Sequence, residues 1–227
     1  MRHRPLVLLG AGLLALLLAA PALAVRVHVR VEGANATIFG PTEPFVTPVT
    51  GIWSPPAGAV VTVNAATPLG ALEAASRRGE FFYRLEAFSF GPYVAQIGRL
   101  SGSETTGWVY KVNGASPPVG ANAYELRAGD RVLWYHATFG PTGGPRTLAL
   151  TRLRRGSPSG RTNRVRCFAA RAVDDNGVRA AVDRVVFRVD SRAVRSRTGR
   201  VCLRGHWHTV RVTKPGLVRS RVATALR

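Results

Sequence analysis

Three groups of residues in this chain have types and spacings that could do chemistry. Within the stretch Gly107 to Tyr135, and just past it, lie Trp108, Tyr110, Tyr124, Trp134 and Tyr135, with Asn113 and His136 as polar residues among them. Such a set suits an apolar groove that holds a ligand by ring contacts while two polar groups fix its orientation. The same rings suit a core equally well, since burial is the common fate of large aromatic groups. The second group is arginine. Arg184 and Arg188, Arg195 and Arg197, and Arg219 and Arg221 recur at alternate positions, as a basic stripe along strand faces would. Guanidinium pairs bidentately with phosphate and carboxylate, so a stripe of this kind fits an anionic envelope polymer or acidic glycan, with nucleic acid not expected. Cys167 and Cys202, the two cysteines, form the third group. In an exported chain an even pair reads as a disulfide, and closing about 35 residues would stabilise the fold by roughly 3–4 kcal/mol.

Other chemistries are poorly served. His206-Trp207-His208 would set two imidazoles on one strand face, but two ligands without a nearby carboxylate make a weak metal site. Neither a metal nor a cofactor is expected. The chain has no G-x-S-x-G, H-E-x-x-H or phosphate-loop motif, and GSPSG at Gly156 to Gly160 lacks the required spacing. From Pro141 on the carboxylates are only Asp174, Asp175, Asp183 and Asp190. The reading is a binding protein rather than an enzyme.

The elements that must position these residues fall into two units. Residues 1–24 begin with Arg2 and Arg4, run apolar from Leu6 to Leu18 and end in Ala22-Leu23-Ala24, the pattern of a cleaved export signal. The run is short for a membrane span, so the mature chain is expected to be secreted or associated with the cell envelope without a transmembrane anchor. From Val25 to Gly140 there are 9 Lys and Arg against 8 Asp and Glu; from Pro141 to Arg227 there are 21 against 4. The charge jump falls at Pro141-Thr142-Gly143-Gly144-Pro145, a linker composition, so residues 25–140 and 147–227 are read as domains joined by 141–146. A coding bias toward arginine would raise the total but would not concentrate it in one half.

In the first unit Val25, Val27, Val29 and Val31 alternate with Arg26, His28 and Arg30, which predicts a half-buried strand with His28 facing solvent. Residues 40–58, with five prolines, predict an irregular excursion. Val60 to Val63 reads as a strand, and Thr67-Pro68 as a helix start closed by Gly79. Further strands are expected over Phe81 to Phe90, Tyr93 to Leu100, Trp108 to Val112, Tyr124 to Leu126 and Val132 to Trp134, with tight turns at Asn113-Gly114 and Gly129-Asp130. The second unit predicts strands at Thr147–Leu153, Arg164–Val173, Asp183–Val189, Arg200–Leu203, His206–Thr213 and Val218–Thr224, the spacing of an all-β sandwich.

The pieces TPLGALEAA, SGSETTGWVYKVNG, PPVGANAYEL and AGDRVLWYHA, in that order between Val60 and His136, resemble the DUF4430 family, which is related to the C-terminal part of transcobalamin and intrinsic factor. That resemblance implies a β-grasp-like fold and an extracellular ligand-binding or adhesive module. DDNGVRAA, TGRVCL and HTVRVTKPGLVRS resemble Ig-like or transthyretin-like modules of exported bacterial proteins. The expected architecture is therefore an α+β β-grasp-like domain followed by an all-β Ig-like sandwich. Two functions fit it: surface attachment through the arginine stripe, or capture of a cobalamin-like small molecule in the aromatic groove.

Overall fold

The structure, a computed structural model, describes residues 25–54, 59–89, 91–141, 143–153, 165–204 and 208–225. The proposed export signal, His206 and Trp207 lie outside the described residues. Among the described residues strands dominate, and one helix accompanies them.

The chain opens with β1 (Val27–Glu32), β2 (Thr37–Phe39), β3 (Phe45–Val46), β4 (Gly51–Trp53) and β5 (Val61–Val63), so the proline-rich excursion holds two short strands. Next comes α1 (Pro68–Gly79). The Thr67 hydroxyl accepts from the Gly70 amide at 3.0 Å, and Arg77 and Arg78 sit at the negative end of the helix. The left-handed cap is Glu80, with φ of 52°, and not Gly79. Gly79 is needed for space instead, since a Cβ there would lie 2.7 Å from the Phe39 ring.

Then follow β6 (Tyr83–Phe88), β7 (Gly91–Ile97), β8 (Leu100–Ser101), β9 (Thr106–Val112) and β10 (Arg131–Thr138). β10 is central in a mixed sheet of order β2-β1-β10-β9, parallel to β1 and antiparallel to β9, with β3 also on β1. Its near-continuous apolar run fits a strand covered on both faces. Asn113 and Gly114 both have positive φ, 53° and 94°, as the tight turn requires. The turn leads only to an isolated bridge at Ala115. Tyr124 to Leu126 is not a strand, because Tyr124 and Leu126 donate their amides to Gly120 and Ala66 and the segment lies against the start of α1.

The second half holds β11 (Thr147–Leu153), β12 (Val165–Val173), β13 (Arg179–Ala181), β14 (Val185–Val189), β15 (Arg192–Ser196), β16 (Arg200–Arg204), β17 (His208–Thr213) and β18 (Ala223–Ala225). β11, β13 and β16 pair with β12 in one sheet; the other runs β15-β14-β17-β18. Phe168 and Val201 from the first meet Phe187, Val210 and Val212 from the second in an apolar core. The expected strand over Val218–Thr224 is reduced to its end, because Val218 exchanges backbone hydrogen bonds with Arg146 and Leu148 and so crosses to the other sheet.

Cys167 and Cys202 are bonded and sit opposite each other on β12 and β16, within one sheet. Replacing both with serine is expected to lower stability by about 2–4 kcal/mol, read as a fall in the urea midpoint. A change under about 0.5 kcal/mol would mean that the sheet constrains this loop unaided.

Candidate functional site

The β9–β10 register decides where the aromatic residues go. Tyr110 lies opposite Trp134, and Trp108 opposite His136, so these four share the sheet face that carries Val29, Val31 and Val132 toward α1. Both indoles are only 2 % exposed, and their N–H groups donate to backbone carbonyls: Trp108 to Leu100 at 2.8 Å, Trp134 to Pro68 at 3.1 Å. Tyr110 stacks at a tilt on Trp134 with ring centroids 5.4 Å apart, and its hydroxyl donates to Val119 at 2.6 Å. Burial, with a smaller push from Tyr124, raises that phenol to about 12. Tyr135 points to the opposite face, and burial pushes its phenol up as well.

Beside β9 runs a groove of about 270 Å³, lined by Tyr93, Trp108, Tyr110, Pro117, Trp134 and Tyr135 among others. Tyr124 is not in its lining and packs half-buried against the core. Asn113 is spent on its own turn: its amide donates to Asp130 at 2.8 Å and its carbonyl oxygen accepts from the Arg131 amide at 3.0 Å. His136 lines a different recess, of about 430 Å³, and makes a 3.1 Å hydrogen bond to the Ser101 carbonyl. The seven proposed ligand residues are therefore not one site; four of them reach the groove.

The other face of this sheet departs from the solvated surface that the alternation in β1 suggests. His28 is half-buried, 2.7 Å from the Glu43 carbonyl and stacked on Phe45. Glu32 is 0 % exposed. Its carboxylate accepts from Arg30 at 2.9 Å, from Arg219 at 2.9 Å and from Arg211, the last two reaching over from the second half. Glu43 holds Arg30 at 3.2 Å and Arg131 at 2.6 Å, with Arg221 at 3.8 Å. Lys111, also 0 % exposed, crosses the seam to Asp175 at 3.1 Å and donates to the Asp174 carbonyl at 2.7 Å. Burial pulls its ammonium down while Asp175 and Asp174 oppose that shift. Leu133, Tyr135 and Ala137 add an apolar patch against Val218. The second half thus covers the sheet face that α1 leaves open.

This splits the arginine stripe. Arg219 belongs to the seam, turned inward onto Glu32, and Arg221 stands at its edge, 3.8 Å from Glu43. Arg184, Arg188, Arg195 and Arg197 are exposed, and Arg184 lies 3.5 Å from Asp183. Arg192, Arg200 and Arg204 are exposed as well. Among the described residues, none of Arg188, Arg192, Arg195, Arg197, Arg200 and Arg204 has a carboxylate partner. His208 pairs with Asp190 at 2.7 Å, which raises the imidazole and depresses the carboxyl. No group of three or more His, Cys, Asp or Glu placed to hold a metal exists among the described residues.

The profile of a family described as Domain of unknown function (DUF4430) matches residues 66–138. Those residues are a DUF4430 domain. No curated protein matches the chain. A solved structure from Ruminococcus gnavus, whose suggested role is metal binding, is similar at 12 % identity and a TM-score of 0.33. It covers 51 % of this chain and 99 % of its own, and at that score its role says nothing about this protein.

The DUF4430 domain contains α1, β6 to β10 and Tyr93, Trp108, Tyr110, Trp134 and Tyr135 of the groove, but not the strand that completes its sheet. β1 pairs with β10 from outside the match and brings Arg30 and Glu32 with it. Glu32, Glu43 and Lys111 escaped the sequence reading. The only signal was an acidic residue ending a Val-x-Val-x-Val strand in a chain otherwise rich in arginine, and alternation alone assigns such a residue to solvent.

Proposed function

We propose that this chain is an exported, non-catalytic binding protein of the cell envelope or extracellular space, built as a β-grasp-like DUF4430 domain followed by an Ig-like sandwich. The DUF4430 domain is the partner- or ligand-binding module; the basic second half attaches to an anionic envelope polymer or acidic glycan. Export rests on the pattern of residues 1–24. One observation carries the polymer reading. Arg188, Arg192, Arg195, Arg197, Arg200 and Arg204 are exposed and lack carboxylate partners among the described residues, while Arg30, Arg131, Arg211 and Arg219 at the seam are engaged by Glu32 and Glu43.

Polymer attachment is favoured over small-molecule capture by the state of the rings. Trp108 and Trp134 are core residues with satisfied N–H groups, and the groove of about 270 Å³ falls just below the range that drug-sized ligands occupy. A corrinoid is larger still. The groove does favour a second reading, as a site for a compact apolar ligand, which quenching of tryptophan fluorescence by such a ligand would report.

The test uses glycerol-phosphate teichoic acid at low and high salt. The mature protein is expected to bind it with an affinity that falls as salt rises. The triple variant R188Q/R195Q/R197Q is expected to bind at least about tenfold more weakly at low salt, since each arginine near an anionic surface contributes roughly 1 kcal/mol. Unchanged binding by the triple variant, or binding indifferent to salt, would remove the proposal.

A further inference from the structure

Neither the groove nor the exposed arginines account for a third recess, of about 270 Å³, at the seam between the two halves. Leu133, Leu148 and Val173 make its apolar floor; Arg30, Arg131, Arg179, Arg221 and Glu43 supply its charge. The cation excess is three. Glu43 is the single carboxylate, and both of its oxygens are taken, Oε1 by Arg30 and Oε2 by Arg131. Arg221, whose side chain is 41 % exposed, comes no closer to Glu43 than 3.8 Å, beyond hydrogen-bond range. Arg179 is exposed and has no ion-pair partner among the described residues.

Guanidinium groups carry five donors and no acceptor, so Arg179 and Arg221 hold their donors ready at the mouth of a cleft whose fixed carboxylate is already used. Screening is weaker in a half-buried cleft than on an open face, so the excess of three charges acts strongly on anything that enters. The Arg221 guanidinium is pulled down by burial first, raised by Glu43, and pulled down again by Arg131 and Arg30.

We propose that this recess binds a compact organic oxyanion, a phosphate or carboxylate on a small apolar body, with Arg221 and Arg179 gripping the oxyanion and the Leu133–Leu148–Val173 floor taking the body. Arg30 and Arg131 stay with Glu43 and supply positive potential from behind. The site is separate from the polymer-binding face, since it uses none of Arg188, Arg195 or Arg197, and it stands whether or not that face binds a polymer.

The experiment is calorimetric titration of the intact mature protein with phenyl phosphate, benzoate and inorganic phosphate. Side-chain Nε–Hε resonances of arginine are followed by NMR in parallel. Saturable one-site binding of phenyl phosphate or benzoate is expected, tighter than that of inorganic phosphate because only the organic anions use the floor. R179Q and R221Q are expected to weaken it by roughly tenfold or more, the worth of a charge-assisted hydrogen-bond pair, while R188Q leaves it unchanged. Among the described residues the Arg179 side chain has no ion-pair or hydrogen-bond partner, so a loss in R179Q is not a loss of folding. Three outcomes would overturn the proposal: no saturable binding of either organic anion, inorganic phosphate binding as tightly as phenyl phosphate, or R188Q weakening binding as much as R179Q. The last would reduce the effect to diffuse attraction by a basic protein.

Discussion

Glu32→Gln is expected to destabilise the protein by about 3–5 kcal/mol, the cost of breaking a buried ion pair by removing one partner. The substitution keeps the shape of the side chain and removes the charge on which Arg30, Arg211 and Arg219 converge. Three guanidiniums would then face one another in a seam where Glu32 itself is 0 % exposed. Two of them come from the second half, so the loss also loosens the contact between the halves. The measurement is urea unfolding together with limited proteolysis. A fall in midpoint of this size, with cleavage newly appearing between residues 138 and 147, is the expected pair of results. A loss below about 1 kcal/mol would show that the seam behaves like an exposed ion-pair network. Lys111 and Asp175, the Leu133–Tyr135–Ala137 patch and the 2.7 Å bond from the Val222 amide to the Pro41 carbonyl would then hold the halves together.

Trp134→Ala is expected to cost about 3–5 kcal/mol, the usual range for removing a buried tryptophan. Its ring lies between α1 and the sheet, next to Tyr110, and its N–H satisfies the Pro68 carbonyl at the first turn of α1. The substitution therefore opens a cavity and removes the indole's hydrogen bond to the first turn of the helix. Chemical denaturation should show a lower midpoint with little change in slope. The outcome also bears on function. If Trp134→Ala were nearly neutral, the ring would be standing at an open groove rather than filling a core, and small-molecule capture would gain over polymer attachment.

The sequence was most informative where local chemistry and periodicity agreed. Thr67-Pro68 placed the start of α1 to the residue, and Asn113-Gly114 placed a turn with positive φ at both positions. β14, β16 and β17 were visible because buried positions alternate with more exposed ones along them, and β11 and β12 because strand-like runs and turns recur at regular spacing. β13 and β15 were missed. Both are largely exposed, with patterns eee and eeeeB, so neither carries an apolar period. The hairpin joining β14 to β15 turns on Asp190 and Ser191, with φ of 46° and 69°, and has no glycine to announce it.

The sequence by itself determined the helix with its cap, the cysteine pair, the DUF4430 motifs and the concentration of arginine after residue 140. Each is written in neighbouring residues or in plain counts. Only the tertiary structure decided which arginines are free. Arg219 shares the alternation of Arg195 and Arg197, yet it meets Glu32, 187 positions away, and is turned inward, while Arg221 stands at the edge of the seam, 3.8 Å from Glu43. It likewise decided that the polar face of β1 is buried and that the two tryptophans are core. The reason is physical. Periodicity tells that a residue has two faces to choose from, but what covers a face depends on chain far away in sequence, and here β1 is covered by β17 and the segment after it.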